Sequence, residues 1–436
     1  MTTENKNKDV ENKKTKKTKS VKKKKENKKI IIEKFKDVFK KSSKKKELYT
    51  VRDVIIIMIF SLVFGFIMCF ACMSLFTGKN YLKVVNDLDK VVDTYYAIVD
   101  NYYGDLDKNK LVDAAVEGMI LSVGDVFTSY TNADDTESFD ETISGSYEGI
   151  GCTVATYTDG SIVIIDVFED SPADSAGLKI GDVIVKVDNE SYEGKTSNDM
   201  SSYIKNSGKD KVVLTVIRDN NEIDITINLS RVEIPYVTGK IIEKGDKKIG
   251  YVNISLFANN SYKQFKNKLE ELEDEGMDSL VIDVRDNNGG YLSSVTDICN
   301  LFLEKGKIIY QLEDSNGIDK KKDTTKEKKS YDVAVIINGN SASASEILAS
   351  VIKESYGGFV VGTNSFGKGT VQQTKRLLDG SMIKYTTQKW LTPNGNSING
   401  VGVEPTNVIE LSEEYLVNPS FDTDNQINGA IDLLIK

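Results

Sequence analysis

The stretch YDVAVIINGNSASASEIL, residues 331–348, decides the fold of the largest part of this 436-residue chain. An apolar run of strand length is followed by a glycine turn and then by a helical pattern. The same order occurs upstream, where SLVIDVR at 279–285 leads through DNNGG to a helical pattern at 293–303. This repeat predicts an α/β core with parallel strands over 233–436. Its lysine-rich insert, Asp319 to Lys329, is expected to form a solvated loop.

The composition excludes much of the usual hydrolytic chemistry, because the chain contains no histidine. Ser-His-Asp triads, Cys-His dyads and the common zinc sites all require one. Acid–base chemistry must therefore use Lys, Asp, Glu, Tyr or Cys. Four cysteines are too few for a disulfide framework, and the C-x-x-C pair Cys69 and Cys72 lies in an apolar run. We expect no metal site and no cofactor.

The turn at 338–347 carries three serines, Ser341, Ser343 and Ser345. A side chain there would stand at the carboxyl edge of the predicted sheet, where open α/β folds bind ligands. The N-terminus of the following helix would stabilise an oxyanion. The segment from Ser343 to Glu346 also fits S-x-x-E, a helix-capping box. On this stretch alone capping is the favoured interpretation, and the pattern does not distinguish the three serines.

A lysine between two glycines, Lys368, is the candidate base for a serine nucleophile. A lysine amine can accept the serine proton once burial lowers its pKa from about 10.4 towards neutrality. A phosphate loop of the form G-x-x-x-x-G-K-[ST] is excluded, because Gly369 follows the lysine. A solvated lysine in a turn remains the alternative.

The region 145–232 contains short β-rich runs separated by turn residues, and it resembles a PDZ domain. Between two of the strands, Ser171 starts a short helix that ends at Gly177. The segment YEGIGC, 147–152, falls where PDZ domains have their carboxylate-binding loop. Its free backbone N–H groups would hold the terminal carboxylate of a peptide that adds a strand to the sheet. The expected substrate-binding residues are Gly149, Ile150, Gly151 and Cys152.

Several ordered motifs between residues 80 and 436 together resemble the carboxyl-terminal processing peptidases. These are serine peptidases with a Ser/Lys dyad and an embedded PDZ domain. The motifs are SASASE with FGKGTVQ 25 residues beyond its middle serine, DVRDNNGG at 283–290, GDVFTSY at 124–130 and TPNGNSINGVGVEP at 392–405.

The resemblance implies roles for particular residues. Ser343 would be the nucleophile, Lys368 the general base, and Gln372 the residue that orients the lysine. The implied oxyanion hole consists of backbone N–H groups of Ala344, Gly289 and Gly290. One departure is Asn288, which stands where the family usually has proline.

The N-terminal region is expected to form a membrane anchor. Residues 1–53 hold 21 Lys+Arg against 8 Asp+Glu, and residues 54–76 contain no charged side chain. As a helix, this run would measure ~34 Å, enough to cross a hydrocarbon core of ~30 Å. A core helix or a signal peptide fits less well, because polar positions and a small-residue cleavage site are missing. The basic flank predicts a cytoplasmic N-terminus.

The tail itself, residues 1–53, is expected to be disordered, with a short amphipathic helix from Ile30 to Phe39. Attraction to anionic lipid is a simpler role for it than nucleic-acid binding, so we expect no nucleic-acid partner. Beyond the span, residues 79–140 are expected to form a helical N-terminal segment.

The sequence therefore predicts a multidomain membrane protein with a transmembrane helix, a helical segment, a PDZ domain and an α/β peptidase core. It would be a single-pass protein of the cell membrane with its catalytic region outside. The expected function is cleavage of exported proteins near their C-termini, with the PDZ domain binding those termini and gating activity. The alternative is a non-catalytic, membrane-tethered PDZ adaptor. Whether the chain forms a homo-oligomer is left open.

Overall fold

The computed structural model describes residues 49–78, 81–325 and 328–436. The amphipathic helix expected from Ile30 to Phe39, and the basic tail up to residue 48, lie outside the described residues. The chain divides into two units, Met1–Leu106 and Asp107–Lys436, which are described separately.

The first unit contains two helices, α1 (Val51–Thr77) and α2 (Tyr81–Asn101). Helix α1 starts with a capping box between Thr50 and Asp53, and it ends at Gly78 in the left-handed conformation. The apolar part of α1 is long enough to cross a membrane, and none of it is buried in the structure. A helix of this kind is compatible with a membrane anchor and equally with a signal sequence.

The predicted helical segment, 79–140, includes α2 of the first unit and continues in the second unit, where a strand interrupts it. The elements are α3 (Lys108–Leu121), β1 (Ser129–Thr131) and α4 (Ala133–Ser144). Asp107 caps α3 and Asn132 caps α4, so a side-chain oxygen marks the start of each helix. The sequence did not reveal β1, because three residues are too few to show strand alternation.

The predicted PDZ region is an antiparallel sheet with two short helices. Its elements are β2 (Ser146–Gly149), β3 (Cys152–Thr156), β4 (Ile162–Val167), α5 (Pro172–Ser175), β5 (Val183–Val187), β6 (Glu190–Ser191), α6 (Ser197–Asn206), β7 (Lys211–Arg218), β8 (Asn221–Asn228) and β9 (Ser230–Glu233). The main sheet runs β3-β4-β5-β7-β8, while β2 pairs with β9. Alternate residues of β7, such as Leu214 and Val216, are fully buried in its core. Strand β3 lies at the edge of this sheet.

The predicted peptidase core, 233–436, contains a largely parallel sheet in the order β10-β11-β12-β15-β16-β19. Its strands are β10 (Val237–Lys244), β11 (Lys247–Ile254), β12 (Ser279–Asp283), β15 (Val333–Ile337), β16 (Phe359–Gly362) and β19 (Asn407–Val408). Only the β10–β11 pair in this sheet is antiparallel.

Helices cover both faces of this sheet. They are α7 (Ser261–Asp274), α8 (Leu292–Asn300), α9 (Ala344–Val351), which continues in a π-helical turn (Ile352–Tyr356), and α11 (Asn425–Leu434). A short helix, α10 (Glu413–Val417), precedes α11 in the chain and has no buried residue. In β12, Leu280 and Ile282 pack with α7, α8 and α9, whereas Val281 packs with α11. Burial on both faces explains the uninterrupted apolar runs of β12 and β15.

A second, antiparallel sheet lies in the same core, and the sequence did not predict it. It joins β1 to β13 (Ile308–Asp314), β14 (Gly317–Lys322), β17 (Thr370–Arg376) and β18 (Met382–Leu391). The expectation of a solvated loop from Asp319 to Lys329 was wrong for its first residues, which belong to β14 and pair with β13. All six residues of β14 are exposed, so charged side chains on both faces hide the strand alternation.

Candidate active site

The serine turn joins the C-terminal end of β15 to the start of α9. Ser343 is the N-cap of α9, with φ 55° and ψ −109°. Positive φ is uncommon for a residue other than glycine, and such strained residues concentrate at functional sites. The turn therefore holds Ser343 in a conformation that the surrounding structure must impose.

The environments of the three serines differ. Ser341 and Ser345 are both fully buried. The Ser341 hydroxyl accepts from the backbone N of Asn338 at 2.9 Å and donates to the carbonyl of Val284 at 2.8 Å. The Ser345 hydroxyl donates to the carbonyl of Asn287 at 2.8 Å. Ser343 is partly exposed and borders a cavity of about 830 Å³. Geometry thus separates Ser343 from two serines whose hydroxyls bind backbone.

Glu346 connects the serine turn to the loop that carries Lys368, residues 363–369, called here the lysine loop. Its Oε2 accepts from the backbone N of Ser343 at 2.7 Å, which is the glutamate half of the predicted capping box. The same buried carboxylate accepts from Ser365 Oγ at 2.6 Å, from the backbone N of Gly367 at 2.7 Å and from that of Lys368 at 2.9 Å. Sequence reasoning treated Glu346 only as a cap. The position of Glu346 within SASASE was the available signal for a further role. Its hydrogen bonds to Ser365, Gly367 and Lys368 could not be predicted, because these residues are 19 to 22 positions away.

Lys368 borders the same cavity as Ser343 and is half-buried. Burial lowers the pKa of its ammonium group, because the charged form loses hydration, and the positive charge of Lys384 lowers it further. Glu346 and Asp125 oppose this shift by attracting the charged form. The Phe127 ring covers the amine, with its centroid 5.0 Å from Nζ. The net effect moves the lysine towards the neutral form that a base requires.

Gln372 lies at the start of β17 and also borders this cavity. Its amide nitrogen donates to Thr370 Oγ1 at 2.8 Å and to Thr386 Oγ1 at 3.1 Å. Among the residues that the structure describes, no hydrogen bond joins Gln372 to Lys368. Gln372 and Lys368 thus border one cavity, while the amide N–H groups of Gln372 donate to Thr370 and Thr386.

The loop DNNGG at 286–290, called here the glycine loop, approaches the serine turn very closely. Gly289 has φ 107°, and a Cβ atom there would lie 2.9 Å from the Cβ of Ser343. Gly289 N donates to Asn287 Oδ1 at 2.8 Å, so it is not a free donor. Within the described part of the chain, the backbone N–H groups of Gly290 and Ala344 have no partner. These two are the donors available to an oxyanion at this cavity, which Asn288 also lines.

A buried charge network anchors the glycine loop. Arg285 pairs with Asp283 at 2.6 Å and with Asp424 at 2.8 Å. The Tyr251 hydroxyl donates to Asp283 Oδ2 at 2.8 Å. Burial of Arg285 alone would lower the pKa of its guanidinium, but the hydrogen bonds and negative charges of Asp283 and Asp424 together raise that pKa above its usual value. The first residues of the DVRDNNGG motif thus fix the loop to α11, and its glycines face the serine turn.

A separate groove of about 640 Å³ lies beside the edge strand of the PDZ region. Gly149, Ile150 and Cys152 line it, together with residues of α6 and α4. Gly151 does not line it; its carbonyl accepts from Ser171 Oγ at 3.0 Å and supports the loop from behind. Lys205 of α6 lies in this groove.

Two acidic residues of α4 hold Lys205. Glu137 and Glu141 lie 3.2 Å and 3.1 Å from its amine. The ring of Tyr147, which also lines the groove, packs against Gly149. Burial raises the pKa of Tyr147 to about 12, which keeps its hydroxyl protonated.

Comparison with protein-family models gives three matches. The model for peptidase family S41 matches residues 248–409, which include Ser343 and Lys368. The model for the PDZ domain matches residues 121–229. The model for the N-terminal domain of activating protease CtpB matches residues 74–135. The chain is therefore multidomain, with a PDZ domain and an S41 peptidase domain.

Curated relatives cover most of the chain. Carboxy-terminal processing protease CtpB of Bacillus subtilis (strain 168) is 39% identical over 336 residues, covering 76% of this chain and 70% of the relative. A probable CtpA-like serine protease of Staphylococcus aureus (strain N315) is 33% identical over 345 residues, covering 78% and 68%. The solved photosystem II D1 C-terminal processing protease is 23% identical, covers 85% of this chain and 96% of its own, and has a TM-score of 0.46.

Proposed function

Since the chain belongs to the carboxyl-terminal processing peptidases of family S41, and is therefore a serine peptidase, we propose that a Ser343–Lys368 dyad performs its chemistry. We further propose that it cleaves exported proteins near their C-termini. The observation that carries this proposal is the shared cavity that Ser343 and Lys368 border, in a chain without histidine.

The reaction follows from this arrangement. The neutral amine of Lys368 removes the proton of the Ser343 hydroxyl, and Oγ attacks the substrate carbonyl carbon. The backbone N–H groups of Gly290 and Ala344 donate to the oxyanion, and each such donor lowers the barrier by ~3 kcal/mol. The protonated lysine then gives its proton to the leaving amine. A water molecule, deprotonated by the same lysine, hydrolyses the acyl-enzyme and restores Ser343.

The groove at β3 and α6 is the proposed site for substrate C-termini. A peptide would pair with the exposed edge of β3 and place its side chains against α6. Its terminal carboxylate would meet the 149–152 loop, where Lys205 lies nearby. Binding there would hold an unfolded chain in reach of the peptidase and could serve to gate cleavage. Protein substrates fit both sites.

Anchoring by α1 completes the proposal. With the basic segment 1–53 in the cytoplasm, residues 79–436 would lie outside the cell membrane, where exported proteins are found. A homo-oligomer is compatible with this arrangement but is not required by it.

The deciding experiment compares the detergent-solubilised full-length protein with its Ser343→Ala variant on an unstructured protein substrate. We expect fragments with the wild type and intact substrate with the variant. A matched Ser345→Ala variant controls for disturbance of the turn and should keep measurable activity. Equal proteolysis by wild type and Ser343→Ala would reject the dyad, and no proteolysis by the wild type would favour the adaptor function.

A further inference from the structure

We propose that Asp125 is a positioning residue for the dyad, because it fixes which way the Gln372 amide faces. This inference deepens the proposed function and rests on it. Asp125 lies in the GDVFTSY motif, between α3 and β1, and the reaction described above leaves this motif without a role. The link runs from Asp125 through the Thr386 hydroxyl to Gln372.

The carboxylate of Asp125 is surrounded by hydrogen-bond donors. Its Oδ2 accepts from Thr128 Oγ1 at 2.5 Å and from Thr386 Oγ1 at 2.6 Å. Its Oδ1 accepts from the backbone N of Phe127 at 3.2 Å. The hydroxyls of Thr128 and then Thr386 lower the pKa of Asp125. The group is therefore an ionised carboxylate at neutral pH.

This charge state sets the direction of the next hydrogen bond. An ionised carboxylate only accepts, so the Thr386 hydroxyl must give its one hydrogen to Asp125. Thr386 Oγ1 then has only lone pairs left to offer, and it can bind only a donor. The donor is the amide nitrogen of Gln372 at 3.1 Å, whose other hydrogen bond goes to Thr370 Oγ1 at 2.8 Å.

A flipped amide would place the carbonyl oxygen of Gln372 against the lone pairs of Thr386. Asp125 excludes that orientation, so Oε1 remains the free atom of an amide that borders the cavity of Lys368. A neutral lysine has two N–H hydrogens and one lone pair. An acceptor such as Oε1 that holds one N–H restricts rotation of the amine, which directs the lone pair towards Ser343.

Charge alone makes a different contribution. The charged groups that act on Lys368 are Lys384 on β18, Glu346 on α9 and Asp125 itself. Asp125 stabilises the protonated lysine, so removing only its charge would lower the lysine pKa and move the rise in rate to lower pH. The plateau rate at high pH would not fall. Loss of positioning lowers the plateau itself, and the two effects are therefore separable.

The test measures pH–rate profiles of the full-length protein on a peptide substrate. Asp125→Asn can flip its own amide and offer a donor to Thr386, which removes the constraint. We expect its plateau kcat to fall roughly tenfold or more, with KM changed by less than about twofold. Thr386→Val, which lacks the hydroxyl, should match it, while Thr386→Ser should stay within about twofold of wild type. An unchanged plateau in Asp125→Asn would overturn the proposal.

Two controls separate positioning from folding. Asp379 accepts from Ser381 N at 3.0 Å and Ser381 Oγ at 2.6 Å in an exposed turn, so Asp379→Asn is a matched loss of a loop carboxylate and should leave kcat unchanged. In a Gln372→Ala background, Asp125→Asn should have no further effect, since both act through one residue. An equal loss in both backgrounds would contradict the inference.

If Gln372→Ala leaves no measurable rate, the Thr386→Val and Thr386→Ser pair decides, and equal rates overturn the inference. If the dyad assignment itself is wrong, the result is different: the Ser343→Ala variant then cleaves the substrate as fast as the wild type.

Discussion

At the scale of single residues, the proposed chemistry depends on the protonation of Lys368. A solvated lysine has a pKa of about 10.4 and is almost wholly charged at neutral pH. Burial and the charge of Lys384 lower this pKa, and the negative charges of Glu346 and Asp125 limit the fall. The assignment of Ser343, Lys368 and Gln372 stays a prediction, supported by their common cavity.

The first prediction concerns the pH dependence of this base. The rate should rise with pH through the lowered pKa of Lys368 and be lost as pH falls below it, because only the neutral amine accepts a proton. Lys368→Arg keeps the charge but does not deprotonate in this range, so it should lose roughly 10²–10⁴-fold in kcat, as Lys368→Ala does. Steady-state kinetics between pH 6 and 10 measure this. Near-normal turnover by Lys368→Arg would show that another group is the base.

At the scale of elements, the candidate active site lies where three turns of one core meet. The serine turn follows β15, the glycine loop follows β12, and the lysine loop precedes β17. Glu346 joins the first to the third, and the carbonyl of Asn287 joins the first to the second, accepting from Ala342 N at 3.0 Å. The glycine loop and the serine turn pack so closely that there is no room for a side chain at Gly289.

The second prediction uses that close approach. Gly289→Ala places a Cβ atom 2.9 Å from both the Ser343 Cβ and the carbonyl oxygen of Ala342, so the serine turn must move. We expect kcat to fall about 10²-fold or more, because displacements of ~1 Å at a reacting group have effects of that size. Gly276→Ala is the matched control: it also has positive φ, 84°, but no atom within 4 Å of its Cβ. Equal activity losses in the two variants would attribute the effect to backbone strain alone.

At the scale of the whole molecule, binding and cleavage are assigned to different sites of the second unit. One groove lies at the edge strand of the PDZ domain, and the other cavity lies at the serine turn. A two-site peptidase can select substrates by their termini and cleave them at another point in the chain. This division requires that the PDZ groove distinguish a free C-terminus from other peptide chain.

The third prediction tests that requirement with a matched pair of peptides, one ending in a free acid and one in an amide. The Ser343→Ala protein serves as the host, since it cannot cleave either peptide. We expect the acid to bind at least about tenfold more tightly, because backbone N–H groups of the 149–152 loop favour a negative terminus, while Lys205 is already paired with Glu137 and Glu141. Fluorescence polarisation reports both affinities. Indistinguishable affinities would remove this role from the loop.

The fourth prediction concerns the membrane. The basic flank and the apolar α1 predict that the tail, residues 1–53, lies inside the cell and that residues 79–436 lie outside. Protease added to intact protoplasts should digest the C-terminal region and spare an N-terminal epitope tag. Release of the whole protein into the medium would instead identify α1 as a signal sequence.

The sequence by itself determined the parts that depend on local patterns. Strands β12 and β15 were readable because burial on both faces demands uninterrupted apolar residues, and α1 because lipid-crossing length demands an uncharged run. The family resemblance, carried by ordered motifs, is confirmed by the relatives and by the S41 and PDZ matches. Strands β1 and β14 were not readable, since β1 has three residues and exposed charged residues leave β14 without a period. The antiparallel sheet was not predicted either, because its strands come from segments that are far apart in the chain.

Only the tertiary structure decided how distant residues combine. It separated Ser343 from Ser341 and Ser345, because the partners of the two buried hydroxyls lie 57 and 58 positions away. It also showed that the Gly289 N–H is already bound, which leaves Gly290 and Ala344 as donors. Local sequence reports which residues are buried and what chemistry they carry. Which hydrogen-bonding groups become paired is fixed only when separate turns pack together.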